Sequence, residues 1–243
     1  MSDGISKVRM ASTAAALLAV AWLAACSPQF EPTPASNARA AADAGAPMRM
    51  QMMPVDALRV VSDPLRNRRW ILHPHGVGEV RPDGSTRSVA LPGWIRVGDA
   101  DACAPDLTVT PDGDALVTSN VVPVIWRIDG ERLDVSRHEL SLDDRPAREL
   151  GFSGIAYSVR HGRFFAIGSL DGSLWSIDRS LTHARRIRVS PPLAPGCGIA
   201  VRAPAQARGI ESLCVRTVID EWTVSVAEDR GTAIAQLGRC AQG

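Results

Sequence analysis

Lysine is almost missing from this chain of 243 residues: Lys7 is the only one, and every other basic side chain apart from the histidines is an arginine. Basic and acidic residues number 27 and 26, so the formal net charge is only +1. Because nucleic-acid binding requires a basic face, this balance gives no support for a nucleic-acid partner. Aromatic residues are also scarce, at 5% of the chain.

Several sequence motifs of catalysis and cofactor binding are missing as well. There is no G-x-S-x-G nucleophile motif, no glycine-rich phosphate-binding loop and no C-x-x-C pair. Ser153 lies between two glycines in Gly151-Phe-Ser-Gly154, but the spacing is not that of a nucleophile elbow. The sequence therefore favours a protein without catalytic activity.

The N-terminus carries the features of a signal peptide. Lys7 and Arg9 precede the apolar run of residues 11–25, which is short for a membrane span. The run ends in Leu23-Ala24-Ala25-Cys26, which resembles the lipobox of bacterial lipoproteins. The resemblance implies cleavage before Cys26, lipidation of its thiol and, because Ser27 follows, an outer-membrane location. The alternative is an ordinary secretory signal with a coincidental cysteine.

Domain boundaries follow from composition. Residues 1–25 are predicted to be the lipoprotein signal peptide, and residues 26–54 the lipidated cysteine with a flexible tether rich in Pro, Ala and Met. Its four methionines, at positions 48, 50, 52 and 53, could hold a soft metal, but a tether end that folds onto the domain is the favoured interpretation. Residues 55–240 remain for one domain.

Short strands in this domain recur with a period of 46 to 49 residues. Asn120–Asp129 and Ser169–Asp178 share a Trp-x-Ile-Asp ending, Trp222 repeats the tryptophan, and Val80 stands at that place in the first repeat. Alternating apolar runs between turn residues predict four strands per repeat. The predicted strands are residues 57–62, 69–73, 78–82 and 86–91; 107–110, 115–119, 124–129 and 133–140; 155–159, 163–168, 173–178 and 185–190; and 199–201, 211–217, 222–227 and 233–238. The prediction is an all-β fold, a β-propeller of about four four-stranded blades. A five-bladed or incomplete ring remains open.

Two segments carry a family resemblance. Val109-Thr-Pro-Asp-Gly113 and Asp171-Gly-Ser-Leu-Trp-Ser-Ile-Asp178 resemble the degenerate repeats of WD40-like, YVTN-type and quinoprotein-like propellers. The resemblance extends loosely over residues 55–240 and implies a propeller fold. Such proteins include outer-membrane lipoproteins that act as scaffolds in envelope assembly. They also include much longer quinone-cofactor dehydrogenases, whose metal and cofactor ligands are not found in this sequence.

The recurring tryptophans are predicted to fill the space between neighbouring blades. Trp126, Trp175 and Trp222 occupy the third strand of their repeats, where a large flat side chain can bury on the order of 150–250 Å². The alternative is a stacking surface for a sugar or a ring cofactor.

The longer loops indicate which face of the domain binds a partner. Strands alternate in direction, so the loops after the second and fourth strands of every repeat share one face, and these are the longer ones. We predict that this face is the recognition surface. Its candidate residues are Trp94, Asp99, Asp101, Asp106, Asp143, Asp144, Arg145, Arg148 and Glu149.

Metal sites are predicted only weakly. Asp99, Asp101 and Asp106 offer oxygen ligands for calcium, but without EF-hand spacing, so solvated loop aspartates are the favoured interpretation. His73 and His75 could both reach one metal, yet the sequence offers no third ligand nearby, so a loop rim is favoured. No cofactor is expected.

Four cysteines follow Cys26, and an even number in an exported protein predicts two disulfides. Three pairings are possible. Cys197 and Cys214 flank a predicted hairpin, which favours their pairing and leaves Cys103 with Cys240. Free buried thiols are the alternative.

The functional prediction is a cell-envelope propeller, anchored to the membrane through its N-terminal lipid, that binds another envelope protein as a non-catalytic binding or scaffold module. One rival is a small metal-dependent propeller hydrolase or lactonase that uses Asp99, Asp101 and Asp106 as ligands. Another is a degenerate propeller that is stable only as part of a larger one.

Overall fold

A computed structural model describes residues 56–98, 103–143, 150–202, 211–227, 231–238 and 240. These residues form seventeen β-strands, turns and bends, without a helix, and they are arranged in two four-stranded sheets and one nine-stranded sheet. The prediction of an all-β fold is confirmed. A search of the same residues for a helix long and apolar enough to cross a membrane found none.

Sixteen of the strands form four antiparallel groups of four, here called units 1 to 4. Unit 1 contains β1 (Arg59–Asp63), β2 (Arg68–His73), β3 (Gly76–Val80) and β4 (Thr86–Val89). Unit 2 contains β5 (Leu107–Val109), β6 (Ala115–Thr118), β7 (Val124–Ile128) and β8 (Val135–Glu139). After the short strand β9 (Ser141–Leu142), unit 3 contains β10 (Phe152–Ser158), β11 (Arg163–Gly168), β12 (Leu174–Ile177) and β13 (His183–Ser190). Unit 4 contains β14 (Gly196–Arg202), β15 (Ser212–Thr217), β16 (Glu221–Ala227) and β17 (Thr232–Leu237).

Each of the sixteen predicted strands overlaps one observed strand. The sequence missed β9, which has only two residues and pairs in parallel with His183 and Ala184 of β13. It also placed the start of β10 three residues late, because the pairing with β11 shifts register between Phe152 and Gly154 and breaks the regular alternation.

The units follow one another through their first strands. Strand β1 contacts β5, β5 contacts β10, and β10 contacts β14. Units 3 and 4 are joined at their outer strands too, since β13 pairs in parallel with β17. Among the described strands, β14 and β1 make no comparable contact. By these contacts, unit 1 and unit 4 each have one neighbouring unit among the described strands.

An apolar cluster lies between each pair of neighbouring units, and each cluster contains one of the predicted tryptophans. Trp126 packs between units 1 and 2, and Trp175 between units 2 and 3, both with at most 1% of their surface exposed. Trp222 is partly buried between units 3 and 4. The prediction that these side chains fill the space between units is confirmed. The sequence missed Trp70 on β2, which is equally buried beside Trp126.

All three of these tryptophans belong to the later unit of their pair. Unit 1 has no described unit before it, and the strand register turns Gly78 and Val80 of β3 away from unit 2. Among the described units, the one that follows no other is thus the one whose third strand carries no tryptophan.

Units 1 and 2 are also tied by a buried arginine. Arg68 Nε lies 3.0 Å from Asp63 Oδ2, and its Nη1 lies 3.0 Å from Glu79 Oε1. The same guanidinium donates to the carbonyl oxygens of Gly130 at 2.5 Å and Gly113 at 2.6 Å, both in turns of unit 2. A Cβ at either glycine would lie within 2.6 Å of Arg68 Nη2, so this close approach requires glycine.

Candidate binding face

The loops after the second and fourth strands of each unit meet at one face, here called the loop face. Their contacts confirm the shared location. Ser169 Oγ, after β11, donates to the Asn120 carbonyl after β6 at 2.8 Å. The Val218 N–H, after β15, donates to the Pro195 carbonyl after β13 at 3.0 Å.

Asn120 fixes the long loop after β4. Its side-chain N–H₂ donates to the carbonyls of Val97 at 2.9 Å and Cys103 at 3.0 Å, and its Oδ1 accepts the Val97 N–H at 3.0 Å. Asn120 is only 6% exposed. Because a buried amide loses much when its partners are removed, this side chain holds the loop in one position.

Trp94 is an anchor of the same loop. Its ring packs against the apolar cluster of units 1 and 2, and its indole N–H donates to the Thr118 carbonyl at 2.9 Å. The Arg96 guanidinium lies 5.7 Å from the ring centroid, within range of a cation–π contact. Ser119 Oγ donates to the Ile95 carbonyl at 2.5 Å. The partly buried Trp94 thus anchors this loop to units 1 and 2, and its place in the recognition surface stays a prediction.

Two disulfides are present, as predicted, but the predicted pairing was wrong. Cys103 pairs with Cys197, with their Cα atoms 4.8 Å apart, and Cys214 pairs with Cys240 at 5.7 Å. The β14–β15 register places Ala200 opposite Cys214, so Cys197 lies three residues too early to reach it. Instead, the first disulfide joins the loop after β4 to the start of unit 4 across the loop face.

Asp106 is buried, whereas the favoured interpretation of the sequence was a solvated loop aspartate, with a calcium ligand as the alternative. It is only 4% exposed; its Oδ1 accepts the Leu107 N–H at 2.9 Å, and its Oδ2 accepts the Ile155 N–H of unit 3 at 3.1 Å. Arg59 of unit 1 lies with Nε 2.9 Å from Oδ1. Burial raises the pKa of Asp106, while the nearby Arg59 acts to lower it. Asp106 therefore connects units 1, 2 and 3 near their first strands.

Six of the nine predicted loop residues lie outside the described residues: Asp99, Asp101, Asp144, Arg145, Arg148 and Glu149. Asp143 is exposed on the loop face, and its Oδ1 accepts the Arg186 N–H at 2.9 Å. His73 Nδ1 lies 3.6 Å from the Asp56 carboxylate, and His75 is exposed. Within the described ranges no three His, Cys, Asp or Glu side chains are grouped so that they could hold a metal ion.

Exposed aliphatic side chains are concentrated on the loop face, which the sequence reasoning missed. Nine large apolar residues are exposed in the described part of the chain, and five of them belong to these loops. They are called the aliphatic patch below: Ile95 (54% exposed), Val97 (42%), Leu170 (61%), Val218 (51%) and Ile219 (73%). The opposite face carries two, Leu65 and Val159. Exposed apolar side chains that are concentrated on one face can mark a protein-binding site.

Comparisons with known proteins support the fold. No protein-family model matches the chain, and no curated protein matches its sequence. Among solved structures, the chain is similar to virginiamycin B lyase from Staphylococcus aureus, with a TM-score of 0.53, 15% identity, and coverage of 75% of this chain and 55% of that one. It is also similar to an auxiliary nutrient binding protein from Bacteroides thetaiotaomicron, with a TM-score of 0.52, 9% identity, and coverage of 75% and 41%. The chain spans about half the length of these structures, and the likeness establishes a β-propeller-like fold.

Proposed function

We propose that this chain is a lipid-anchored β-propeller of four blades, forming an incomplete ring, that acts in the cell envelope as a non-catalytic binding module for another envelope protein. The aliphatic patch is the binding surface, and the N-terminal lipid on Cys26 attaches the module to the outer membrane. Units 1 to 4 are the blades.

The observation that carries this proposal is the position of the aliphatic patch. Asn120 and Ser119 hold the main chain at Val97 and Ile95, Ser169 ties the loop of Leu170 to the Asn120 carbonyl, and the Val218 N–H is bonded to the Pro195 carbonyl. A fixed surface loses little conformational entropy on binding. Two disulfides also fit an oxidising compartment outside the cytoplasm.

The contacts of Asp106 do not favour its use as a metal ligand in a hydrolase, and the other two proposed ligands, Asp99 and Asp101, lie outside the described residues. Both oxygens of Asp106 accept backbone N–H groups, and its charge is opposed by Arg59. An incoming cation would have to displace these partners. A binding role requires no such rearrangement.

A matched pair of variants tests the binding surface. We expect Ile95→Ser/Leu170→Ser/Ile219→Ser to lose a partner that the parent protein retains when cross-linked in intact envelopes and purified in detergent. The control is Leu65→Ser/Val159→Ser, which removes two aliphatic side chains that are 82% and 79% exposed on the opposite face. Equal partner recovery by both variants would contradict the proposal.

The lipid anchor has a separate test. Metabolic labelling with an alkyne-bearing fatty acid is expected to label the parent chain and to leave Cys26→Ser unlabelled. Labelling that persists in the variant, or an unlabelled parent, would refute lipidation at this cysteine and leave the binding surface untouched.

A further inference from the structure

Among the residues that the structure describes, the outer edge of β13 is covered in two separate pieces. Strand β9 pairs with its beginning, at His183 and Ala184, and β17 pairs with its end, from Arg188 onward. Both covering strands run parallel to β13. The edge at Arg186 lies between them.

A side chain takes the place of a strand at this gap. The Asp143 N–H donates to the Ala184 carbonyl at 3.2 Å, as the next residue of β9 would. The following bond of a parallel ladder would join the Arg186 N–H to the Asp143 main-chain carbonyl. Here the Asp143 side-chain Oδ1 accepts that N–H, at 2.9 Å. The edge is therefore satisfied by a group that can rotate away.

A cavity of about 500 Å³ opens along the gap, within the usual size range of ligand sites. Its apolar walls include Leu174, Ile187 and Leu193, which are all buried. Exposed Asp171, Arg188 and Pro192 form part of its rim. Such a lining can receive an aliphatic side chain beside an extended main chain.

The charges of the lining cancel. It contains two carboxylates, Asp143 and Asp171, and two guanidinium groups, Arg186 and Arg188, with Arg186 Nη2 lying 4.0 Å from Asp171 Oδ2. Among the described residues the lining has no aromatic ring on which a sugar or a nucleobase could stack. A balanced, non-aromatic lining selects a segment without net charge.

We propose that this groove binds a short, extended, uncharged peptide segment of a partner protein by strand addition to β13. A main-chain carbonyl of the segment displaces Asp143 Oδ1 from the Arg186 N–H, and an aliphatic side chain of the segment packs on Leu174, Ile187 and Leu193. No residue of the aliphatic patch lines the groove, although Asp171 on its rim directly follows Leu170 of the patch, and the variants that test the two sites share no position.

The probe is a phage-displayed library of random heptapeptides, selected on the immobilised chain with Cys26→Ser and without residues 1–25. Enriched peptides are synthesised with fluorescein and titrated by fluorescence polarisation. We expect the enriched sequences to be aliphatic and without net charge. Pro192→Trp, which fills the mouth of the groove, weakens their binding at least tenfold, whereas Pro82→Trp, at an exposed proline between β3 and β4, leaves it unchanged.

The variant Asp143→Ala distinguishes two roles for this side chain: an acceptor that the peptide displaces from the Arg186 N–H, or a group that only supports the structure of the groove. Removing the competing acceptor should tighten peptide binding roughly twofold to tenfold, the effect of one net hydrogen bond. The thermal unfolding midpoints of the variants confirm that each is folded. The proposal is overturned if no peptide is enriched, if the enriched peptides are charged, if Pro192→Trp binds as the parent does, or if Asp143→Ala binds equally or more weakly.

Discussion

Arg68→Ala is expected to be the most destabilising single charge removal in the described domain. It would leave Asp63 and Glu79, which are 3% and 1% exposed, without their shared buried partner, and would also remove the donor to the Gly113 and Gly130 carbonyls. Breaking a buried ion pair by removing one partner costs about 3–5 kcal/mol. Glu79 keeps the guanidinium of Arg87, so we expect a loss at the lower end, about 3 kcal/mol.

Urea unfolding of the soluble chain, followed by tryptophan fluorescence, measures this loss. Trp70 reports on it directly, since the Arg68 guanidinium lies 5.1 Å from its ring centroid. The control is Arg132→Ala, whose side chain is 73% exposed and pairs with Asp129 and Asp134. Exposed pairs contribute about 0–1 kcal/mol. If both variants lose the same free energy of unfolding, the buried network does not hold units 1 and 2 together.

Three further outcomes follow from the same structure. Replacing Cys103 and Cys197 by serine should lower the free energy of unfolding by about 4–5 kcal/mol in the chain-entropy model, since the bond spans 94 residues. Urea unfolding of parent and variant measures the difference, and a loss below about 1 kcal/mol would contradict the prediction. Because burial raises the pKa of Asp106, its contribution to stability is present at low pH and is lost as the pH rises through the folded-state pKa; Asp106→Asn should therefore gain on the parent in thermal unfolding midpoint as the pH rises above the ordinary aspartate pKa of 3.8, and a flat difference would refute this. Asp178 should behave oppositely: burial alone would raise its pKa, but hydrogen bonds from Ser180, Thr182 and the His183 N–H lower it to about 2. Its stabilisation is therefore present above its ordinary pKa of 3.8 and is lost as the pH falls towards 2. The deficit of Asp178→Asn in thermal unfolding midpoint should shrink over that range, and a constant deficit would contradict this.

The strands could be predicted because their evidence is local. Alternating apolar residues and turn residues predicted the four strands of every repeat. The tryptophans of the third strands predicted the packing between neighbouring units. Strand β9 could not be found in this way, because it consists of Ser141 and Leu142 alone and exists through its pairing with β13.

The pairing of the cysteines could not be predicted from local sequence. Cys197 and Cys214 flank a predicted hairpin, yet their distance depends on register, which neither residue determines. The observed register places Cys214 opposite Ala200. A one-residue change in register changes the partner of every residue on a strand, so pairing by sequence distance was unreliable here.

The loop face was predicted as the common location of the long loops, but its exposed aliphatic side chains were not predicted. Alternating strand direction correctly placed the long loops together. Residues such as Ile95 and Ile219, however, stand in irregular segments where no period distinguishes a buried aliphatic side chain from an exposed one. The partial burial of Trp94 could not be predicted either, because it depends on contacts across the loop such as that with the Thr118 carbonyl.

The side of β3 that carries Gly78 and Val80 makes the two ends of the series of units unequal as places to add another unit. Every later unit brings its own tryptophan to the junction behind it, so a repeat duplicated onto the C-terminal side would arrive with its filler already in place. A repeat inserted before unit 1 would meet a surface without one. Adding a unit before unit 1 would therefore require a compensating change in β3. Adding a unit after unit 4 would first require the Cys214–Cys240 bond to be removed or moved.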